Sequence, residues 1–131
     1  MQTSKRITIA KSLAPLASLA AQRRYIIHGT RSEYYIPTEL LNRVAEVIRQ
    51  VGTVPNIQSC FSASESKAIL VLDNLLNDAC RAAESDGSNE YLVESDPAWR
   101  LLREQVAHCL ETIAFNLSQW EKQEIFSLPS I

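Results

Sequence analysis

The sequence predicts an all-α fold, a single four-helix antiparallel bundle with a basic N-terminal lead-in. Three observations carry that expectation. Apolar residues recur at helical spacing through long segments, most of them bracketed by their own start and stop residues. Three glycines and five prolines in 131 residues are too few to turn an all-β chain at short intervals. Connectors of about ten residues suit helices packed antiparallel to their neighbours. With 46% hydrophobic and 21% charged residues the chain is globular in composition, and its length suits one helical domain, residues 1–131, burying roughly two thirds of its unfolded surface.

The first segment places Ile9, Leu13, Leu16, Ala20 and Ile27 on one helical face, with Gly29 as its stop. Pro15 lacks an N–H and suits only a first turn, so Ser12 reads as the N-cap and residues 1–11 as an extended lead-in. A start near Ser4 would instead kink the helix at Pro15. In the second segment Pro37 opens a run of Leu40, Leu41, Val44, Val47, Ile48 and Val51, closed by Gly52 and Pro55. Glu39 and Arg43 add an (i, i+4) pair in the favourable order. Ser62 and Glu65 form a capping box for the third, whose face runs from Ala68 and Ile69 through Leu72, Leu75, Leu76, Ala79 and Cys80 to Ala83, with Gly87 closing it. The fourth has Asp96 as N-cap, Pro97 at N1, and a stripe of Leu102, Val106, Cys109, Leu110, Ile113 and Leu117. Trp99 and Trp120 bracket it. Leu101, Leu110 and Leu117 form a second strip beyond the narrow seam, which predicts packing on a second subunit and hence a homodimer. The acidic connector Asp86 to Ser95 holds Tyr91, Leu92 and Val93, able either to fold onto the core or to meet a partner.

Charge is divided unevenly along the chain. The net charge of −2 conceals a first stretch of 32 residues with Lys5, Arg6, Lys11, Arg23, Arg24 and Arg31 and no acidic side chain, on a body rich in carboxylates. The basic run continues into Arg23, Arg24, Tyr25, His28, Arg31, Tyr34 and Tyr35. Arginine interleaved with tyrosine suits an acidic protein groove, where both are typical anchors, and equally suits phosphate contacts with base stacking. The structural reading of the same residues is a helix end whose cations complement its dipole. The acidic total weighs toward a protein partner, so the expectation is a small, non-catalytic binding or regulatory protein of adaptor, inhibitor or immunity type, helped at this surface by Lys5, Arg6 and Lys11.

Two short motifs set alternatives beside it. Arg23 and His28 have the spacing Arg-x4-His, which resembles the pair used by helical ribonucleases of the HEPN family. That resemblance implies nucleic-acid binding or RNA cleavage, with arginine steadying phosphate and histidine aiding proton transfer. The stretch Ala107-His108-Cys109-Leu110-Glu111-Thr112-Ile113-Ala114 resembles the phosphorelay site of histidine phosphotransfer domains, which implies His108 as phosphoacceptor. Glu111 and Thr112 stand where that family has lysine and glycine, and a carboxylate there repels the incoming phosphate.

Other chemistries lack their residues. Glu104, His108 and Glu111 share a helix face, but no pair of Glu-x-x-His motifs and no Cys-x-x-Cys occurs, so no metal and no cofactor is expected. No Gly-x-Ser-x-Gly elbow and no glycine-rich phosphate loop is present. Three cysteines give no disulfide framework and suit a reducing, cytoplasmic setting. Lys5 and Arg6 precede an apolar run from Ser12 to Ala21, and Ser18-Leu19-Ala20 is similar to a signal-peptidase site. Lys11 and Pro15 interrupt that run, so neither export nor membrane insertion is expected.

Overall fold

The computed structural model describes residues 2–85 and 87–126, and these are helical with no strand among them. In chain order the elements are α1 (Gln2–Ala17), α2 (Leu19–Gln22), a π-turn π1 (Arg23–Ile27), α3 (Pro37–Thr53), α4 (Pro55–Gln58), α5 (Ala63–Leu70), α6 (Asp73–Glu84), α7 (Asn89–Glu94), α8 (Pro97–Thr112), α9 (Leu117–Glu121) and a second π-turn π2 (Lys122–Phe126). The all-α class holds, but the chain is divided into more helical segments than four.

The extended lead-in is corrected first. Helix α1 is already formed at Gln2 and runs through Pro15 to Ala17. Ser12 does not cap it; its hydroxyl donates back to the Thr8 carbonyl at 3.0 Å. Pro15 lies in the last turn, so the N–H it lacks and the crowding of its ring fall where the helix is ending. Against that cost stands the burial of Ile9, Ala10, Leu13, Ala14, Leu16 and Ala17 along one face. The backbone leaves helical geometry at Ser18, at φ −100 and ψ 109, and the Ser18 side chain caps α2 by accepting from the Ala21 N–H.

The next three elements follow their end signals. Pro37 opens α3, the Ser62–Glu65 capping box starts α5, and Asp96 caps α8 by accepting from the Trp99 N–H at 3.0 Å. The third segment is nevertheless broken. Three-residue hydrogen bonds, Leu72 N–H to Ile69 O and Leu75 N–H to Leu72 O, tighten the chain between α5 and α6. This turn sends Leu72 into the core and leaves Leu70 and Val71 exposed. The acidic connector contains α7, capped by Ser88, which buries Leu92 and Val93 and exposes Tyr91.

The fourth segment stops at Thr112 instead of continuing to Leu117. Phe115 N–H bonds to Leu110 O and Ala114 N–H to Glu111 O, a Schellman closure with Ala114 at φ 62. No glycine marks this stop, so the apolar stripe looks continuous through it. The second strip also dissolves. Leu110 is fully buried, Leu117 packs against the core, and of the three leucines Leu101 alone is exposed.

Helix α1 packs on α3 and α8, and α6 packs on the same two helices, with α5 beside them. Two polar fasteners join α1 to α8. Near one end Arg6 makes a bidentate pair with Glu65, both contacts at 2.7 Å, and donates to Cys60 O at 3.0 Å and Ile113 O at 2.9 Å. Its guanidinium also lies 5.3 Å from the centre of the Phe61 ring. At the other end the fully buried Gln22 carboxamide donates to the Pro15 and Leu16 carbonyls and accepts from Trp99 Nε1 at 3.0 Å and Arg103 Nη1 at 2.9 Å. Arg103 also donates to Val93 O, tying in α7. Because the start of α1 meets the end of α8 and Gln22 meets its beginning, these two helices run antiparallel.

Candidate functional site

The Gln22 fastener delivers the chain directly into π1. Here His28 N–H reaches Arg23 O, a five-residue span, at 3.0 Å. Widened turns of this kind are over-represented at functional sites. The π-turn buries Ile26, half-buries Tyr25 and Ile27, and leaves Arg23, Arg24 and His28 exposed. Gly29 follows because space demands it: a Cβ there would lie 2.7 Å from the Tyr25 carbonyl oxygen and 2.8 Å from Tyr34 Cβ. The chain then returns over itself. Tyr35 N–H donates to Tyr25 O at 2.8 Å, and Thr30 N–H to Glu33 O at 2.9 Å.

That return stacks the aromatic residues. The Tyr25 and Tyr35 rings lie 4.7 Å apart at 44°, and the Arg24 guanidinium sits 5.6 Å from the Tyr25 ring centre. Burial, with Tyr25 adding to it, pushes the Tyr35 hydroxyl up to about 12, so it stays protonated at neutral pH. Two adjoining hollows result. One, of about 350 Å³, is lined by Arg24, Tyr25, His28, Thr30 and Glu33. The other, of about 640 Å³, shares Tyr25 and Thr30 and adds Arg31, Tyr34, Tyr35 and Asn89 among its walls.

Of the residues expected at this surface, Arg24, Tyr25, His28, Arg31, Tyr34 and Tyr35 are brought together. Arg23 is not. It forms a bidentate pair with Glu94 of α7, at 2.6 and 2.8 Å, which holds that carboxyl below its usual range. Arg23 therefore turns to Glu94, while His28 lines the smaller of these two hollows, although their backbones are bonded. The basic residues of α1 do not assist this end either. Arg6 is committed to Glu65, and Lys5 and Lys11 lie on the order of 20 Å away along the helical path. Thr30 and Glu33 are wall residues absent from the sequence expectation, and so is Asn89. It arrives from α7, and its side-chain amide reaches Ile26 O at 3.5 Å.

His108 is exposed on the opposite helical pair. It lines a separate groove of about 330 Å³ between α5 and α8, with Ser64, Lys67, Gln105 and Thr112 among its neighbours. Burial pushes the adjacent Cys109 thiol up to about 11, which keeps it protonated and unreactive near neutrality. Among the described residues no group of three His, Cys, Asp or Glu side chains gathers to hold a metal ion. Among them too, no helix is long and apolar enough to cross a membrane. In comparisons with known proteins, no family model matches the chain, and no curated protein or solved structure is significantly similar to it.

Proposed function

We propose that this chain is a small binding or regulatory protein, acting through protein–protein contacts instead of catalysis, with its contact surface at π1 and the return of residues 28–36. One observation carries the reading: two exposed arginines, a histidine and three tyrosines from a 12-residue stretch converge on two adjoining hollows, at a chain return whose close approach requires Gly29. Arginine and tyrosine supply charge and apolar area at low ordering cost, as binding anchors do. We read the supporting architecture as one antiparallel bundle whose arms are α1, α3, the broken α5–α6 pair and α8. The free Cys60, Cys80 and Cys109 support a reducing, cytoplasmic setting.

The test is capture of partners by the tagged full chain from source lysate, beside the triple variant R24A/R31A/Y34A, with and without nuclease. A stoichiometric protein retained after nuclease and lost in the variant supports the reading. Equal capture by the variant removes the surface. Signal that disappears with nuclease transfers the site to nucleic acid, which salt-steep oligonucleotide binding would then corroborate. Light scattering gives the assembly in the same preparation: 14.7 kDa places the surface on a monomer, and twice that mass, lost in L101K, would support a dimer contact at the exposed Leu101 of α8.

A second reading has one specific observation in its favour. The exposed His108 shares its groove with the Lys67 ammonium of α5, which supplies a cation on the opposite wall to offset Glu111. As a phosphotransfer site it predicts acid-labile phosphate on His108 after incubation with a phosphodonor. A chain that stays unlabelled eliminates it.

A further inference from the structure

We propose that the Arg24–His28 hollow is the subsite for a carboxylate side chain on an acidic peptide segment, and that the adjoining tyrosine-walled hollow takes the apolar or aromatic residue next to it. This deepens the binding reading above and rests on it.

Four features of the molecule converge on that ligand. First, the guanidinium of Arg24 lies 5.6 Å from the centre of the Tyr25 ring, which is itself braced by Tyr35, so a cation stands beside an aromatic wall with N–H donors to offer a planar acceptor. His28, four residues on, adds a ring N–H donor to the same hollow. Second, the molecule displays the chemistry on the neighbouring residue. Arg23 already holds the Glu94 carboxylate in a fork, and that carboxylate belongs to a short acidic helix, α7, packed on π1. One arginine of the pair is satisfied from within; the other has no ion-pair partner among the described residues.

Third, Glu33 stands in the wall of the same hollow. It repels any anion, and repels a phosphomonoester dianion, with nearly twice the charge, more than a carboxylate, so among anionic groups the hollow disfavours the phosphomonoester most. Fourth, the second hollow is walled by Tyr34, Tyr35 and the Tyr25 ring, with Arg31 and Asn89 at its rim. It shares Tyr25 and Thr30 with the first, so the two are neighbours on one surface. An extended segment could place a carboxylate in one and an adjacent ring in the other.

Amide shift mapping by NMR with defined peptides on the full chain tests this. The probes are acetyl-Glu-Glu-Phe-Glu-amide, its glutamine counterpart acetyl-Gln-Gln-Phe-Gln-amide, and a 5′-phosphorylated oligothymidylate. The acidic peptide should shift residues 24–35 in a saturable way, and the glutamine peptide should bind about tenfold more weakly, the loss expected for one charge-assisted contact. R24Q should equalise the two peptides while its remaining spectrum stays native. R23Q, which breaks only the contact to Glu94, should preserve the discrimination. Equal binding of the two peptides by the native chain, or no shifts at residues 24–35, overturns the carboxylate subsite. So does tighter binding of the oligonucleotide at those residues. If partner capture is still lost in R24A/R31A/Y34A while the peptides fail, the surface stands and only the subsite falls.

Discussion

Gln22 shows how far a single side chain can depart from what its type suggests. An uncharged polar residue next to two arginines reads as surface, yet it is fully buried and serves as partner to two carbonyls, an indole and a guanidinium. Nothing in its local sequence signals this, because all but the two helix-end carbonyls come from residues more than seventy positions away. Burial holds the Arg103 guanidinium below its usual range, so losing its acceptor would be felt strongly. Replacing Gln22 with Leu should destabilise the fold by about 3 kcal/mol in urea unfolding, since it leaves several buried groups unpaired at once. Arg6 is the second such residue. It holds the Glu65 carboxyl down to about 2 from an ordinary 4.5. The stability that pair contributes is therefore complete above pH 4.5 and is lost as pH falls toward 2. In R6A, the Glu65 carboxyl should rise toward its ordinary value, with Ser62 still holding it down in part, and unfolding free energy should vary less across that window. Ala114 offers the opposite sign. Its φ of 62 is costly for a residue with a Cβ, so A114G should raise the melting temperature, stabilising by about 1 kcal/mol.

At the scale of elements, starts were easier to read than stops. Pro37, the Ser62–Glu65 box and Asp96 each act where they are written, because caps are local hydrogen bonds set by a few residues. The end of α8 was invisible because its left-handed residue is alanine, and the break between α5 and α6 because Leu70, Val71 and Leu72 look like uninterrupted helix. Helix α1 departs from the sequence expectation for a different reason. Proline ordinarily breaks a helix interior, whereas here six buried apolar residues outweigh it in a turn that is already ending. The candidate site was legible as a cluster and illegible as a shape: the residue types are adjacent in sequence, but the π-turn and the return over Gly29 are what make hollows of them. G29A should therefore open that return. Contact between its Cβ and the Tyr25 carbonyl would displace Tyr34, and the amide signals of residues 24–35 should move while those of α3 and α8 remain in place.

On the scale of the whole molecule, the uneven charge distribution is partly resolved inside the chain. Arg6 and Arg23 from the basic stretch are matched to Glu65 and Glu94 from the acidic body, which leaves Arg24 and Arg31 as the arginines of that stretch without an ion pair among the described residues. These matches also span most of the chain. Arg6 bonds to a carbonyl 107 residues away and Gln22 to a guanidinium 81 residues away. Such long closures cost entropy that nearer contacts do not, so they form late. Helix α1 is held at one end by Glu65 of α5 and the Ile113 carbonyl, and at the other, through Gln22, by Trp99 and Arg103 of α8, so both of its ends depend on residues far along the chain.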